Sequence, residues 1–457
     1  MKSDVAIVGG GPAGSALAMF LLREGIRPLI IEQESFPRYH IGESLTGAGG
    51  KVLRDLGLEE EMNRRGHPRK QGAKVFGTNG ETTWFVPVTG RDQDWKLFDW
   101  HTWQVRRSDF DAMMLGEAIR RGAELLPGKA LHPLLNGDGA VRGVQVRPAD
   151  GGLLDIETEL LLDCSGQATW LANLKGITGP KYLGSYDKQI AFFSQVTGAV
   201  RDNGTTKETD PDNTLLFYQQ KFHWSWFIPL DKEVVSVGVV APAVYYQGQR
   251  ESPHDFLARE LRTLNPEMAK RYPEMKLVHD VHVIPNYSYQ VNRFTGRGFM
   301  CIADAHRFVD PIYSFGVTMA LREAQFAAPV IKAYLEGHGR DDPHPFAHWE
   351  RTTERAIDVL EDMLDFFWER PLAFAVFVFR RYTDEMTDLF AGRVFERQPS
   401  GPVKAFRRGL EREKERSEDL DQQVYSIPIG SRYHPERAPL WEENAVIEST
   451  EAWMGPR

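Results

Sequence analysis

An apolar run, Val5-Ala6-Ile7-Val8, leads straight into Gly9-Gly10-Gly11-Pro12-Ala13-Gly14, and this junction constrains the chain more than any other stretch. It fits GxGxxG, in which the first glycine turns tightly out of a strand, the second leaves room for a pyrophosphate, and the third lets the next helix pack on the strand. A helix read from Ser15 to Glu24 and a second strand at Leu29-Ile30-Ile31 complete a βαβ unit. Glu32 closes that strand, where a carboxylate can accept hydrogen bonds from the adenosine ribose hydroxyls. Phosphates are then expected at the positive end of the first helix.

Three further segments favour FAD over NAD. Arg107-Ser108-Asp109-Phe110-Asp111 starts a helix, running to Arg121, with a cation near a phosphate-sized gap. Asp163-Cys164-Ser165-Gly166 ends a buried strand (Leu160 to Ser165) in a glycine turn. Ala303-Asp304-Ala305, followed by Phe308-Val309-Asp310-Pro311, places an aspartate where it can hold ribityl hydroxyls while a helix start faces the flavin pyrimidine. Each alone also reads as a helix cap or a turn. Their order along one chain is what points to FAD.

The expected architecture is α/β. A Rossmann-like FAD-binding domain, 1–180 with 280–335, carries an inserted β-sheet substrate domain at 181–279, helped by strands from 70–105. A helical lobe and tail fill 336–457, the helical pattern running from Pro345 to Arg416. The last forty residues or so, with Pro428, Pro435, Pro439 and Pro456, lack periodicity and are read as a surface segment. A net charge of −9 argues against nucleic acid, which needs clustered excess cations. Cys164 and Cys301 offer neither a disulfide framework nor metal-ligand spacing, so no metal and a reducing cytoplasm are expected. The apolar run Leu372 to Phe379 is far short of a membrane span, and no signal-peptide pattern opens the chain.

Four motifs carry a family resemblance. Trp224-Ser225-Trp226-Phe227-Ile228-Pro229 matches WxWxIP, Phe308 to Gly316 fits FxxPxxSxG, and Lys70-Gln71-Gly72-Ala73 resembles KxGA. His40-Ile41-Gly42-Glu43-Ser44 is similar to the strap after the second strand. Together they resemble the flavin-dependent halogenases, within the aromatic-hydroxylase-like flavoenzymes, over residues 4 to about 330, with the nearest echo in pyrrole halogenases acting on carrier-bound substrates.

The resemblance implies reduced FAD delivered by a separate flavin reductase, with oxygen and chloride or bromide as co-substrates, giving hypohalous acid that travels inside the protein to an electron-rich arene. Implied cofactor contacts are Gly9, Gly11, Pro12, Ala13, Gly14, Glu32, Gln33, Arg38, Ile41, Gly42, Glu43, Ser44, Arg107, Asp304, Pro311, Gly316 and Val317. The backbone amides of Ser314, Phe315 and Gly316 are the implied halide donors, and Lys70 the catalytic lysine, by hydrogen bonding the hypohalite or by forming a haloamine. Lys74 is its rival. Trp224 and Trp226, on one strand face by their i, i+2 spacing, are the implied wall that keeps substrate off the flavin, where contact would give hydroxylation.

Two positions depart from the family. Tyr313 stands where tryptophan halogenases place a glutamate before the motif serine, which disfavours free tryptophan as substrate. Ala303 replaces the glycine of the usual Gly-Asp pair. A phenol or pyrrole, free or on a carrier protein, remains, with the tethered form ranked behind for want of a docking surface beyond Arg380-Arg381 and Arg407-Arg408. Substrate shape is assigned to the C-terminal aromatics Phe366, Phe367, Trp368, Phe374, Phe377 and Phe379. Rival readings are a flavin-dependent aromatic hydroxylase, an FAD-fold binding protein without turnover, and more remotely a prenyl-lipid reductase.

Overall fold

The computed structural model describes residues 1–186, 188–396 and 400–417. The segment carrying Pro428, Pro435, Pro439 and Pro456 lies outside them. The Rossmann-like sheet is built on β1 (Lys2–Val8), β2 (Leu29–Glu32), β3 (Glu124–Leu135), β4 (Val141–Pro148), β5 (Leu154–Asp163) and β6 (Phe299–Cys301). The first half of β3, then β2, β1, the second half of β5, and β6 pair in parallel. The remaining halves of β3 and β5 clasp β4 in an antiparallel meander. Every residue of β2 and the last four of β1 are buried, as expected of strands covered on both faces.

Helix α1 spans Pro12–Arg23, beginning three residues earlier than the apolar pattern indicates. Proline at the first helical position explains this, since its fixed φ suits a helix and its missing N–H would have had no partner there. The strand read from Leu160 starts at Leu154, because its polar first half pairs with β4 at the sheet margin. Helix α2 covers Arg107–Arg120 and α3 covers Phe315–Leu335. Ala16, Leu17 and Phe20 of α1 share a core with Ala320, Leu321, Ala324 and Ala327 of α3, where small side chains allow close approach.

A second sheet runs in the order Gln189–Thr197, Val235–Pro242, His223–Pro229, Thr214–Gln220, Gly72–Phe76, Thr83–Pro87. Alternation divides it into two apolar faces. Trp224, Trp226, Ile228 and Leu216 face the helical lobe, whereas Phe227, Phe217, Val237 and Val239 pack under the helix Pro253–Thr263. Trp226 is opposite Gly238 in register, where a Cβ would overlap the indole ring. The lobe consists of α4 (Ala347–Glu369), α5 (Pro371–Val376), a π-helical turn at Phe377–Arg381, α6 (Thr383–Ala391) and α7 (Ser400–Ser417). Arg307 anchors it by ion pairs to Asp358 and Glu361 on α4, at 2.5 Å each. No described helix is long and apolar enough to cross a membrane.

The fingerprint glycines divide by what their missing side chains permit. A Cβ on Gly14 would overlap the carbonyl oxygen of Gly9, and Gly9 itself has φ +105° and abuts the carbonyl of Cys164. These two serve the fold. Gly14→Ala is therefore expected to destabilise the protein by more than about 2 kcal/mol, measured by denaturant unfolding. Unchanged stability would contradict the packing described.

Candidate active site

A cavity of about 820 Å³ runs from the end of β2 to the second sheet, which is at the upper end of volumes that take small-molecule cofactors. Glu32, Gln33 and Lys129 to Leu131 line one end, and Trp224, Trp226, Ile312 and Ser314 the other. Gly9, Gly11, Pro12, Ala13, Arg38, Ile41, Gly42, Glu43, Ser44, Arg107, Asp304, Pro311, Gly316 and Val317 all line it between these ends. The exception among the residues assigned to FAD is Gly14, which stands behind the wall. Gly11 is the informative glycine. A Cβ there would meet nothing nearer than Arg38 Nη2 at 3.5 Å, so its open space serves a ligand rather than the fold.

The polar groups around this cavity are already partly tied down. Glu32 accepts from the Gly10 amide at 2.6 Å and the Glu34 amide at 2.8 Å, leaving its remaining lone pairs for a ribose. Arg107 pairs with Asp111 at 2.7 Å and donates to the Ile41 carbonyl, so the cation read at a phosphate gap also anchors the strap. Arg38 reaches the same Asp111 at 3.3 Å. The Arg107 guanidinium, helped by burial, pushes His40 down to about 4. Burial raises Glu43 to about 7, and burial with the nearby Glu323 charge raises Asp304 to about 7.

Ala303 holds φ +57°, the left-handed region where its methyl is strained and glycine is not. Its amide donates to Glu323 Oε2 at 2.7 Å, and His306 Nε2 reaches the same oxygen at 3.0 Å, all fully buried. Glu323 was not singled out in the sequence, because a mid-helix glutamate ordinarily faces solvent.

A second cavity, of about 40 Å³, lies around Lys70. It holds one or two small molecules of water size, not an arene. Lys70 is 5% exposed, and its Nζ donates to Ser44 Oγ at 2.8 Å and the Leu45 carbonyl at 3.1 Å. Ser44 Oγ in turn pairs with Thr214 Oγ1 at 2.9 Å, which accepts from Gln104 Nε2 at 2.9 Å. Burial pushes the lysine down to about 7. Lys74 is elsewhere, its Nζ 5.3 Å over the Phe76 ring and outside the lining of both cavities. Thr214, Leu216, Ile312 and Ser314 line both cavities and form the partition between them. Neither Thr214 nor Leu216 was assigned to the site from the sequence. The strand pairing, invisible in the sequence, sets Leu216 opposite Trp226 and Val75 and Thr214 opposite Ala73, and so brings both to the partition.

The helix start at Ser314 corrects one expectation. Ser314 has φ +61° and its amide donates to the Pro311 carbonyl at 3.0 Å, so it is not available to a halide. Phe315 and Gly316 open α3, and first-turn amides have no carbonyl four residues back. The Phe315 side chain does not line the flavin-sized cavity; it joins the aromatic core of the helical lobe. Tyr313 lines the lysine cavity, packed edge-on against Phe367 and Phe390, with its hydroxyl buried and lacking a hydrogen-bond partner among the described residues. Of the C-terminal aromatics, Phe366, Phe367, Trp368, Phe374 and Phe377 are buried, whereas Phe379 is exposed. No group of three or more His, Cys, Asp or Glu is placed to hold a metal among the described residues.

Residues 2–361 match the FAD binding domain family. The 1H-pyrrole-2-carbonyl peptidyl-carrier-protein brominase of Pseudoalteromonas luteoviolacea is 34% identical over 409 residues, covering 89% of this chain and 96% of that one. The corresponding chlorinase of Pseudomonas fluorescens is 26% identical over 86% of this chain and 89% of its own. The solved structure of a flavin-dependent brominase superposes with a TM-score of 0.83 at 33% identity, covering 91% of this chain and all of that one. The chain belongs to the flavin-dependent halogenases, a branch of the FAD-binding-domain family. It is an FAD-dependent oxidoreductase that uses oxygen and a halide on an electron-rich aromatic. The hydroxylase and inactive-binder readings give way to this assignment.

Two variants test the cofactor cavity. Gly11→Asp is expected to fold normally yet purify without flavin, because the side chain and its charge fill pyrophosphate space. A folded variant with full flavin absorbance would contradict this. Ala303→Gly is expected to raise stability by about 1 kcal/mol through relief of the left-handed strain, read as a Tm increase of roughly 1–2 °C. An unchanged or lower Tm would show that the turn carries no strain.

Proposed function

We propose that this chain halogenates a pyrrole-2-carbonyl group tethered to a peptidyl carrier protein, drawing reduced FAD from a separate flavin reductase in the cytoplasm. The observation that carries the reading is the pair of cavities, one sized for FAD and one enclosing Lys70, joined through a thin partition. The substrates named for the brominase and chlorinase relatives support the tethered form over the free one. In this division of labour 1–180 and 280–335 hold the cofactor, 181–279 with 70–105 walls the substrate side, and the lobe from 336 onward covers it.

Bound reduced FAD supplies the oxygen activation that converts halide to hypohalous acid. Gly11 and the first turn of α1 receive the pyrophosphate, Glu32 the ribose, and Asp304 the ribityl chain. The amides of Phe315 and Gly316, with the Ser314 hydroxyl, hold the halide at the positive end of α3. Trp224 and Trp226 wall the flavin end so that the arene cannot reach it. The partition of Thr214, Leu216, Ile312 and Ser314 then passes hypohalous acid to Lys70.

Ser44 and the Leu45 carbonyl accept two of the lysine's hydrogens, so the third position of Nζ faces the cavity. With the group pushed down to about 7, that position is a lone pair in much of the population at neutral pH. The amine takes halogen from hypohalous acid with release of water, and the pyrrole carbon takes it from the haloamine, restoring the amine as the ring loses its proton. Tyr313 offers one neutral hydrogen bond in place of a carboxylate, which suits an acyl carbonyl better than an indole.

Lys70→Ala and Lys70→Arg are expected to abolish halogenated product while sparing FAD binding and oxygen uptake, since a guanidinium is a poor haloamine former. Lys74→Ala is expected to retain product. Single-turnover halogen transfer is expected to rise with pH through about 7, because the amine form grows as pH passes the lysine's lowered value. A rate that falls over the same interval would assign the work to the ammonium. Mass spectrometry with a panel of carrier-bound and free arenes tests the substrate, and turnover of free tryptophan matching that of pyrrolyl-carrier protein would overturn the reading.

A further inference from the structure

The apolar run from Leu372 to Phe379 has a role that the catalytic reading does not absorb. In α5 and the π-helical turn after it, Phe374, Phe377 and Val378 are buried in the aromatic core. Leu372, Val376 and Phe379 are instead 85%, 51% and 51% exposed. Their spacing of four and three residues puts them on one stripe. A short helix apolar on both sides has one face that the described fold leaves uncovered.

The charge beside this stripe differs in sign from that of the whole molecule. Residues 370–381 contain Arg370, Arg380 and Arg381 and no acid, in a chain of net charge −9. Arg380 and Arg381 are exposed at the end of the stripe. Helix α7 packs beside it through Phe406, whose ring lies 6.5 Å from Phe374 and 5.8 Å from Phe377. That helix also carries exposed Lys404, Arg408 and Arg412, with exposed Glu411, on the face turned away from Phe406, so the basic border of the stripe itself is Arg380 and Arg381. Arg407, named with Arg408 in the sequence as a docking candidate, turns away to an ion pair with Asp362 at 3.0 Å.

We propose that this apolar stripe and its basic border are the docking surface for the acidic carrier protein that brings the substrate. The proposal rests on the carrier-bound reading above and deepens it. Carrier proteins are acidic, so a molecule of overall negative charge can bind one only through a local basic patch, and an apolar centre with a charged rim is the composition of such interfaces. The stripe is also close to the chemistry. Phe374, on the inner side of α5, is 6.0 Å from Phe390, which lines the lysine cavity and packs 5.1 Å from Tyr313. One helix thickness, about 10–12 Å, and one aromatic ring separate the surface from the wall of that cavity, a distance within the length of a pantetheine arm.

The test compares two acceptors, pyrrole-2-carbonyl carrier protein and pyrrole-2-carbonyl pantetheine, with the holoenzyme. Leu372→Glu/Val376→Glu and, separately, Arg380→Glu/Arg381→Glu are expected to raise KM for the carrier-bound acceptor at least tenfold. FAD content, oxygen uptake and turnover of the pantetheine acceptor should stay unchanged. For the wild type, KM for the carrier form should also rise with salt, while that for pantetheine should not. If the wild type halogenates neither acceptor, the carrier-bound reading itself fails. If it halogenates both and the variants match it, the docking surface is wrong and the reading survives. Equal loss of both acceptors would make the stripe structural. An unchanged carrier KM with loss of self-association or of vesicle binding would assign it to a second copy or a membrane, and each overturns the proposal.

Discussion

The structure is organised around a buried lysine that has no counter-ion. Lys70 is enclosed, no carboxylate is within ion-pairing distance among the described residues, and burial alone accounts for its lowered pKa. Burying an ammonium without a partner costs several kcal/mol and persists only where the fold enforces it. Here the enforcement is shared. The strap supplies Ser44 and Leu45, the second sheet supplies Thr214, and a two-residue strand, Arg69–Lys70, paired with Thr102–Trp103, fixes the lysine's direction. A carboxylate beside Lys70 would keep the ammonium form and so remove the lone pair that the proposed halogen transfer uses.

The remainder of the fold keeps reactive species apart until they reach that amine. Oxygen and halide chemistry is proposed for the flavin-sized cavity, walled by Trp224 and by Trp226, whose close packing against the neighbouring strand requires Gly238. In the proposed mechanism halogen transfer belongs to the separate, smaller cavity around Lys70, which hypohalous acid enters from the flavin side. The partition between them draws one pair of residues from the second sheet and one from the loop before α3. Selectivity thus follows from position.

What the sequence makes legible is what the backbone requires locally. Gly14 is forced by a clash with the Gly9 carbonyl, Gly9 by its own left-handed φ, and the tryptophan pair by strand alternation, so these can be read from local spacing. Contacts made only by tertiary pairing are hidden. Ser44 reads as a cofactor strap, yet it also holds a lysine twenty-six residues away, which becomes visible only once Ser44 bridges Gln104. The Ser314 amide was misread because a left-handed residue at the helix start turns it back to Pro311. The aromatics after Arg370 were assigned to substrate shape, although Leu372, Val376 and Phe379, one residue per turn, face outward.

In the proposed mechanism hypohalous acid formed at the flavin reaches Lys70 through the partition, so narrowing that partition should separate oxygen uptake from halogenation. In Leu216→Trp, oxygen uptake and halogenated product are measured together under reductase-driven turnover, with FAD content as the control. The account predicts oxygen uptake near the wild-type rate with product reduced at least tenfold, because hypohalous acid is still made but cannot pass. Product formation undiminished in a folded, flavin-replete variant would contradict it.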